Sequence, residues 1–157
     1  MQEKDINISY KEYDSLYELP SENRNLLEKA IEATKSSYAP YSNFNVGAAV
    51  LMENGEIVTG SNQENAASPS GLCAERVALF AAHHNYPSVS VKALVVIGSQ
   101  NGEITQDLTY PCAACLQVLL ESQKRSGEQI AIIIGSAGRI QVMPSVDALL
   151  PFSFSSF

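Results

Sequence analysis

Asn62-Gln-Glu-Asn-Ala-Ala-Ser-Pro-Ser-Gly-Leu-Cys73-Ala-Glu75-Arg76 decides how this chain is read, and Pro111-Cys112-Ala-Ala-Cys115 completes it. The chain has three cysteines, and all of them fall in these two segments. A Cys-x-x-Cys pair alone fits a redox dithiol, half of a structural zinc site or two buried cysteines. Cys73, with Glu75 two residues on, adds a third soft ligand and a carboxylate that need not bind metal. Three protein ligands leave the fourth tetrahedral position to water, as in a catalytic rather than a structural zinc.

Spacing adds a geometric condition. Cys112 and Cys115 are three residues apart, so in the first turn of a helix their side chains point the same way. Cys73 and Glu75 are two apart, which sends them to nearly opposite sides of a regular helix. They serve one site only if Cys73 stands at the helix edge. Both helices are therefore predicted to begin at the metal, with their N-terminal amides turned toward it. Three thiolates around Zn²⁺ carry a formal charge of −1, which makes the bound water less acidic. Two helix N-termini, each equivalent to roughly +0.5 charge, and the neighbouring cation Arg76 would draw some of that charge away.

Composition narrows the partners. At 157 residues the chain fits one domain around a single core. Ten Lys and Arg against 17 Asp and Glu leave a net charge of −7, which repels phosphate backbones and disfavours nucleic acid. No run approaches a membrane span, and the first twenty residues contain no apolar signal core, so no membrane partner is expected. With every thiol assigned to one metal none remains for a disulfide, which suits the reducing cytoplasm.

Along the chain, Ile6, Ile8 and Tyr10 alternate as in a short edge strand, and residues 1–20 read as an extension ahead of a single domain at 21–157. Ser21 is placed to cap a helix with an apolar stripe of Leu26, Leu27, Ala30, Ile31 and Ala33, ending before Pro40. Residues 46–52 and 57–58 form a hairpin across Asn54-Gly55. A helix over 73–85 presents Val77, Phe80, Ala81 and His84 on one side. A β-branched strand at 91–97, a helix over 112–125 stopped by Gly127, strands at 130–134 and 140–143, and a short helix at 145–150 follow. The order α-β-β-α-β-α-β-β-α implies an α/β fold, a three-layer α/β/α sandwich with a mixed five-stranded sheet.

Cys73-x-Glu75 and Pro111-Cys112-x-x-Cys115 match the all-cysteine variant of the zinc nucleobase-deaminase signature. With Tyr38-Ala39-Pro40-Tyr41-Ser42-x-Phe44-x-Val46-Gly47-Ala48-Ala49, Asn62-x-Glu64-Asn65-Ala66 and Leu149-Leu150-Pro151, these blocks make residues 25–154 resemble the small, free-nucleoside cytidine deaminases. The resemblance implies a Zn²⁺ cofactor on Cys73, Cys112 and Cys115. It also implies hydrolysis of cytidine and deoxycytidine to uridine and deoxyuridine, with ammonia released in pyrimidine salvage. Water is activated for attack on C4, and Glu75 shuttles its proton to N3 and then to the departing amine. Asn62 and Glu64 would hold the ribose 3′-hydroxyl, Phe44 would pack on the pyrimidine, and the Ala74 amide would meet O2. Arg76 would contact the ligand thiolates. The family's homotetramer would bring Phe154 into a neighbouring subunit's site, with Phe152 and Phe157 adding apolar surface.

Three positions depart from the family pattern. Ser68 stands where an aromatic is usual, Ala113 where a glycine is usual and Leu116 where an arginine is usual. Two alternatives remain at this point: a deaminase of a modified cytosine nucleoside such as blasticidin S, or a zinc-stabilised deaminase fold without turnover. Intact Asn62-x-Glu64 speaks against the first and retained Glu75 against the second.

Overall fold

The computed structural model describes residues 1–156, and Phe157 lies outside them. The elements are β1 (Lys11–Tyr13), α1 (Ser21–Ala33), β2 (Asn45–Met52), β3 (Ile57–Ser61), α2 (Ala74–Asn85), β4 (Val91–Gln100), β5 (Glu103–Ile104), α3 (Ala113–Ser126), β6 (Ala131–Gly135) and β7 (Ile140–Met143). The strands build one mixed sheet in the order β1-β7-β6-β4-β2-β3, with β5 on the end of β4. Only β4 and β6 run parallel; the remaining pairs are antiparallel.

The sheet residues alternate between two cores. Ala48, Val50, Leu94, Val96, Ile132 and Ile134 face a layer holding Ala78, Leu79, Leu119 and Leu120 of α2 and α3. Ala49, Leu51, Val95, Ile97 and Ile133 face Leu26, Leu27 and Ala30 of α1. Because the side-chain period of a strand is two, each central strand must be apolar throughout. The three-layer α/β/α sandwich is thus the observed architecture.

Several expectations need correction. The sheet has seven strands rather than five: the five expected ones are present, and β1 and the two-residue β5 are added at its margins. The ladder at the N-terminus forms at Lys11–Tyr13, not over Ile6, Ile8 and Tyr10. Lys11 pairs with Val142, so continuing the register sets Ser9 against Pro144, which has no N–H to offer. Ser21 is the first residue of α1 instead of its cap; Pro20 holds the cap position, with no side-chain bond. The expected last helix is a three-residue 3₁₀ turn, Val146–Ala148.

The face of α2 is also reversed. Its inward residues are Ala74, Ala78, Leu79 and Ala82, while Phe80 and His84 are exposed. The reason is close approach. A Cβ on Gly60 of β3 would lie 2.5 Å from the Ala78 nitrogen, so α2 rests its small residues directly on the strand. That contact brings the start of α2 to the sheet edge where the site forms.

Candidate metal centre and its cavity

Cys73 and Cys112 each occupy the N-cap position of a helix, with extended backbone at φ −69°, ψ 155° and φ −70°, ψ 164°. This meets the geometric condition read from the Cys73–Glu75 spacing. α2 and α3 both begin at the sulfurs, and their first-turn N–H groups have no intrahelical acceptor. The Cys73 and Cys112 sulfurs are 3.8 Å apart and those of Cys112 and Cys115 3.5 Å. All three lie within 4.8 Å of one another. Zn–S bonds of about 2.3 Å at tetrahedral angles separate sulfurs by roughly 3.8 Å, so the set fits zinc. Among the described residues this is the group able to hold a metal ion, and it contains neither histidine.

The electrostatics of the trio are uneven. Cys73 is held below the usual thiol range by hydrogen bonding from Cys115 and Arg76, whose Nη2 approaches its sulfur at 3.7 Å. Cys115 is pushed well up, because it shares its proton with Cys73 and is buried. The guanidinium beside Cys73 thus favours its thiolate, the form that binds a divalent cation.

Glu75 is 4 % exposed. Burial pushes its carboxyl up to about 7, the charge on Cys73 adds to this, and Arg76 opposes it. An acid so placed exchanges a proton near neutrality, as a general acid–base group must.

A cavity of about 480 Å³ opens from Cys73 and Arg76 along Asn62 and Glu64 to Tyr41 and Ser68. That volume is of the size that takes a small molecule. At its far end the polar groups are tied into the protein. The Asn62 Oδ1 accepts from the Val46 N–H at 2.8 Å and from the Ser37 hydroxyl, and its Nδ2 donates to the Phe44 carbonyl at 2.9 Å. Glu64 accepts from the Tyr41 and Ser42 amides at 3.1 and 3.2 Å and from the Ser42 hydroxyl. The Ser42 bonds hold this carboxyl below the usual carboxylate range.

Phe44 does not line the cavity. Its ring lies against β4 at Gly98, where a Cβ would sit 2.6 Å from a ring atom. Ala74, fully buried, is the first residue of α2 and presents one of the unpaired N–H groups. Phe154 is also away from the cavity of its own chain: its ring is exposed, and its carbonyl accepts from Gln117 Nε2 at 3.0 Å. Of the three departures, Ser68 is exposed and widens the cavity mouth. Ala113 begins α3 without strain, since Asn43 and Asn101 are the non-glycine residues with positive φ. Leu116 is buried in the core under α3.

Reading the sequence missed Ser42 and Ser37, which hold the two polar residues of the cavity. It also missed Asn43, whose Nδ2 donates to Asn101 Oδ1 at 3.2 Å. The block 38–49 was visible as a pattern, but nothing in its spacing names partners twenty and more residues away.

The cytidine and deoxycytidylate deaminase zinc-binding region matches residues 20–127. The chain is 37% identical over 132 residues to a cytidine deaminase of Halalkalibacterium halodurans, covering 83% of this chain and 92% of that one. It is 38% identical over 130 residues to one from Sporosarcina psychrophila, covering 83% and 89%. The crystal structure of cytidine deaminase from Burkholderia pseudomallei superposes with a TM-score of 0.69 at 35% identity, over 83% of this chain and 97% of that one. With the sulfur trio, the buried glutamate and these likenesses together, the chain belongs to the zinc-dependent cytidine and deoxycytidylate deaminase family.

Proposed function

We propose that the protein hydrolyses cytidine and deoxycytidine to uridine and deoxyuridine with release of ammonia. The observation that carries this reading is a buried Glu75, its carboxyl pushed up to about 7, two residues along α2 from Cys73, which belongs to a three-sulfur group and lines a cavity of about 480 Å³. Cys73, Cys112 and Cys115 hold the zinc. When bound, it supplies the Lewis acidity that makes water a nucleophile at neutral pH.

The chain's own groups do the rest. Glu75 accepts the proton of the attacking water, delivers it to N3 of the ring, and then protonates the departing amine. The Ala74 N–H meets O2, and Asn62 with Glu64 holds the ribose hydroxyl; Phe44, packed on Gly98, backs the loop beside the cavity without lining it. Arg76 withdraws charge from Cys73. Residues 1–20 are an extension to a catalytic domain at 21–157. Phe154 serves a neighbouring subunit of a homotetramer, and three reduced thiols suit the cytoplasm.

Ultraviolet-monitored incubation with cytidine, deoxycytidine, free cytosine and blasticidin S tests the reading, with Glu75→Gln as control. Uridine and deoxyuridine should appear with the unmodified protein and not with the variant. Turnover of blasticidin S alone, or of nothing while zinc is bound, would refute it.

A further inference from the structure

The segment ahead of β1 is used by neither the zinc chemistry nor the core. Ile6, Ile8 and Tyr10 are 51, 45 and 51% exposed. Among the described residues, 4–10 enter no ladder and make no backbone hydrogen bond. The cause is internal. β1 is the outermost strand of the sheet, and its pairing with β7 stops where Pro144 and the 3₁₀ turn Val146–Ala148 remove the donors. The backbone from residue 4 through β1 thus presents unpaired N–H and C=O groups, which templates the addition of another strand.

Edge strands usually carry charge to prevent such addition. Here the charges are arranged to favour one partner. If two copies of the chain pair antiparallel about Ile8, Ile8 faces itself and Ile6 faces Tyr10. In the same register Lys4 faces Glu12 and Asp5 faces Lys11, each pair occurring twice. Residues of even number share one face of the strand, so that face becomes an apolar strip with Lys4 opposite Glu12 at both ends, where Glu12 also accepts from Gln141 Nε2 at 2.7 Å within its own chain. Slipping by two residues one way sets Ile6 against Glu12; the other way leaves Asp5 against Ser9. Slipping by one residue sets the apolar face against the polar one.

We propose that residues 4–12 form an antiparallel strand pair with the same segment of a second copy of this chain, centred on Ile8. The interface joins sheet edge to sheet edge and stands apart from the zinc site, so it does not depend on the deaminase reading.

Variants with one added cysteine, zinc-loaded so that Cys73, Cys112 and Cys115 are occupied and run beside the unmodified protein, test it under oxidised glutathione. Ile8→Cys should form a disulfide-linked dimer readily, since its mate is directly opposite at about 5 Å between Cα atoms. Ile6→Cys should not, because its mate lies four residues away along the strand, about 13 Å. In the Ile8→Cys background, Asp5→Lys should slow dimer formation roughly tenfold, as two attractive cross-strand pairs become repulsive. Adding Lys11→Asp should restore it. Unchanged circular dichroism certifies each variant's fold. Equal cross-linking of Ile6→Cys and Ile8→Cys, absence of any dimer, or indifference to the charge inversion would overturn the proposal.

Discussion

The two ends of the cavity are built on opposite principles. At the metal end, Glu75 is buried against its own ionisation and Cys73 is ionised ahead of its ordinary range. Groups there are held in states that an isolated residue would not adopt. At the other end, Asn62 and Glu64 are already engaged, fastening the loop that carries Tyr41, Ser42 and Phe44 to the start of β2. On the proposed function the first end does the chemistry at some cost to stability, and the second binds substrate through groups that also hold the loop. Substitutions should therefore separate turnover from folding at one end and mix them at the other.

The sharpest test is Glu75→Gln, which keeps size and removes the exchangeable proton. Turnover should fall about a thousandfold, with zinc content by atomic absorption and the melting temperature preserved. A variant retaining even a tenth of the activity would dissolve the contrast.

Next in size is a pH effect on the metal-free protein. The folded carboxyl of Glu75 titrates near 7 against an ordinary 4.5. Folding thus favours the protonated acid: the contribution is fully present below 4.5 and is lost as pH rises to 7. The stability of chelator-treated protein relative to its Glu75→Gln counterpart should fall across that window by on the order of 3 kcal/mol. Taking the difference between the two proteins isolates Glu75 together with its coupling to Cys73 and Cys115. A flat difference would mean that Glu75 is not desolvated.

At the other end, Asn62→Ala should both raise KM and destabilise by about 2 kcal/mol. It leaves the Val46 N–H and Phe44 carbonyl without their partner. Chemical denaturation with kinetics on the same sample reads both. A rise in KM with unchanged stability would place Asn62 with the metal end in kind.

The smallest effect is expected at Arg76. Arg76→Gln removes the cation beside Cys73, so turnover should drop roughly tenfold while stability moves by less than about 1 kcal/mol. A larger loss of stability than of turnover would make Arg76 a structural residue.

Much of this was legible beforehand because it is local. Residues two and three apart must satisfy helical geometry, and from that alone Cys73 had to stand at a helix start; it does. The continuous β-branched run at 91–97 likewise implied a central strand covered on both faces. The orientation of α2 was not legible. Ala78, Leu79 and Ala82 form as good an inward face as Val77, Phe80 and Ala81, and the choice was made by Gly60 on another element. The bond from Ser42 to Glu64, 22 residues apart, was hidden for the same reason.

The amino-acid order by itself determined the donor set, the spacing that gathers it at two helix starts, and the class of fold, since each depends on neighbours within a turn or a strand. Only the tertiary structure decided which face of α2 turns inward, that burial moves the Glu75 proton toward neutrality, and where β1 stops pairing. Those outcomes depend on packing, desolvation and a proline across the sheet, which are properties of what surrounds a residue in space.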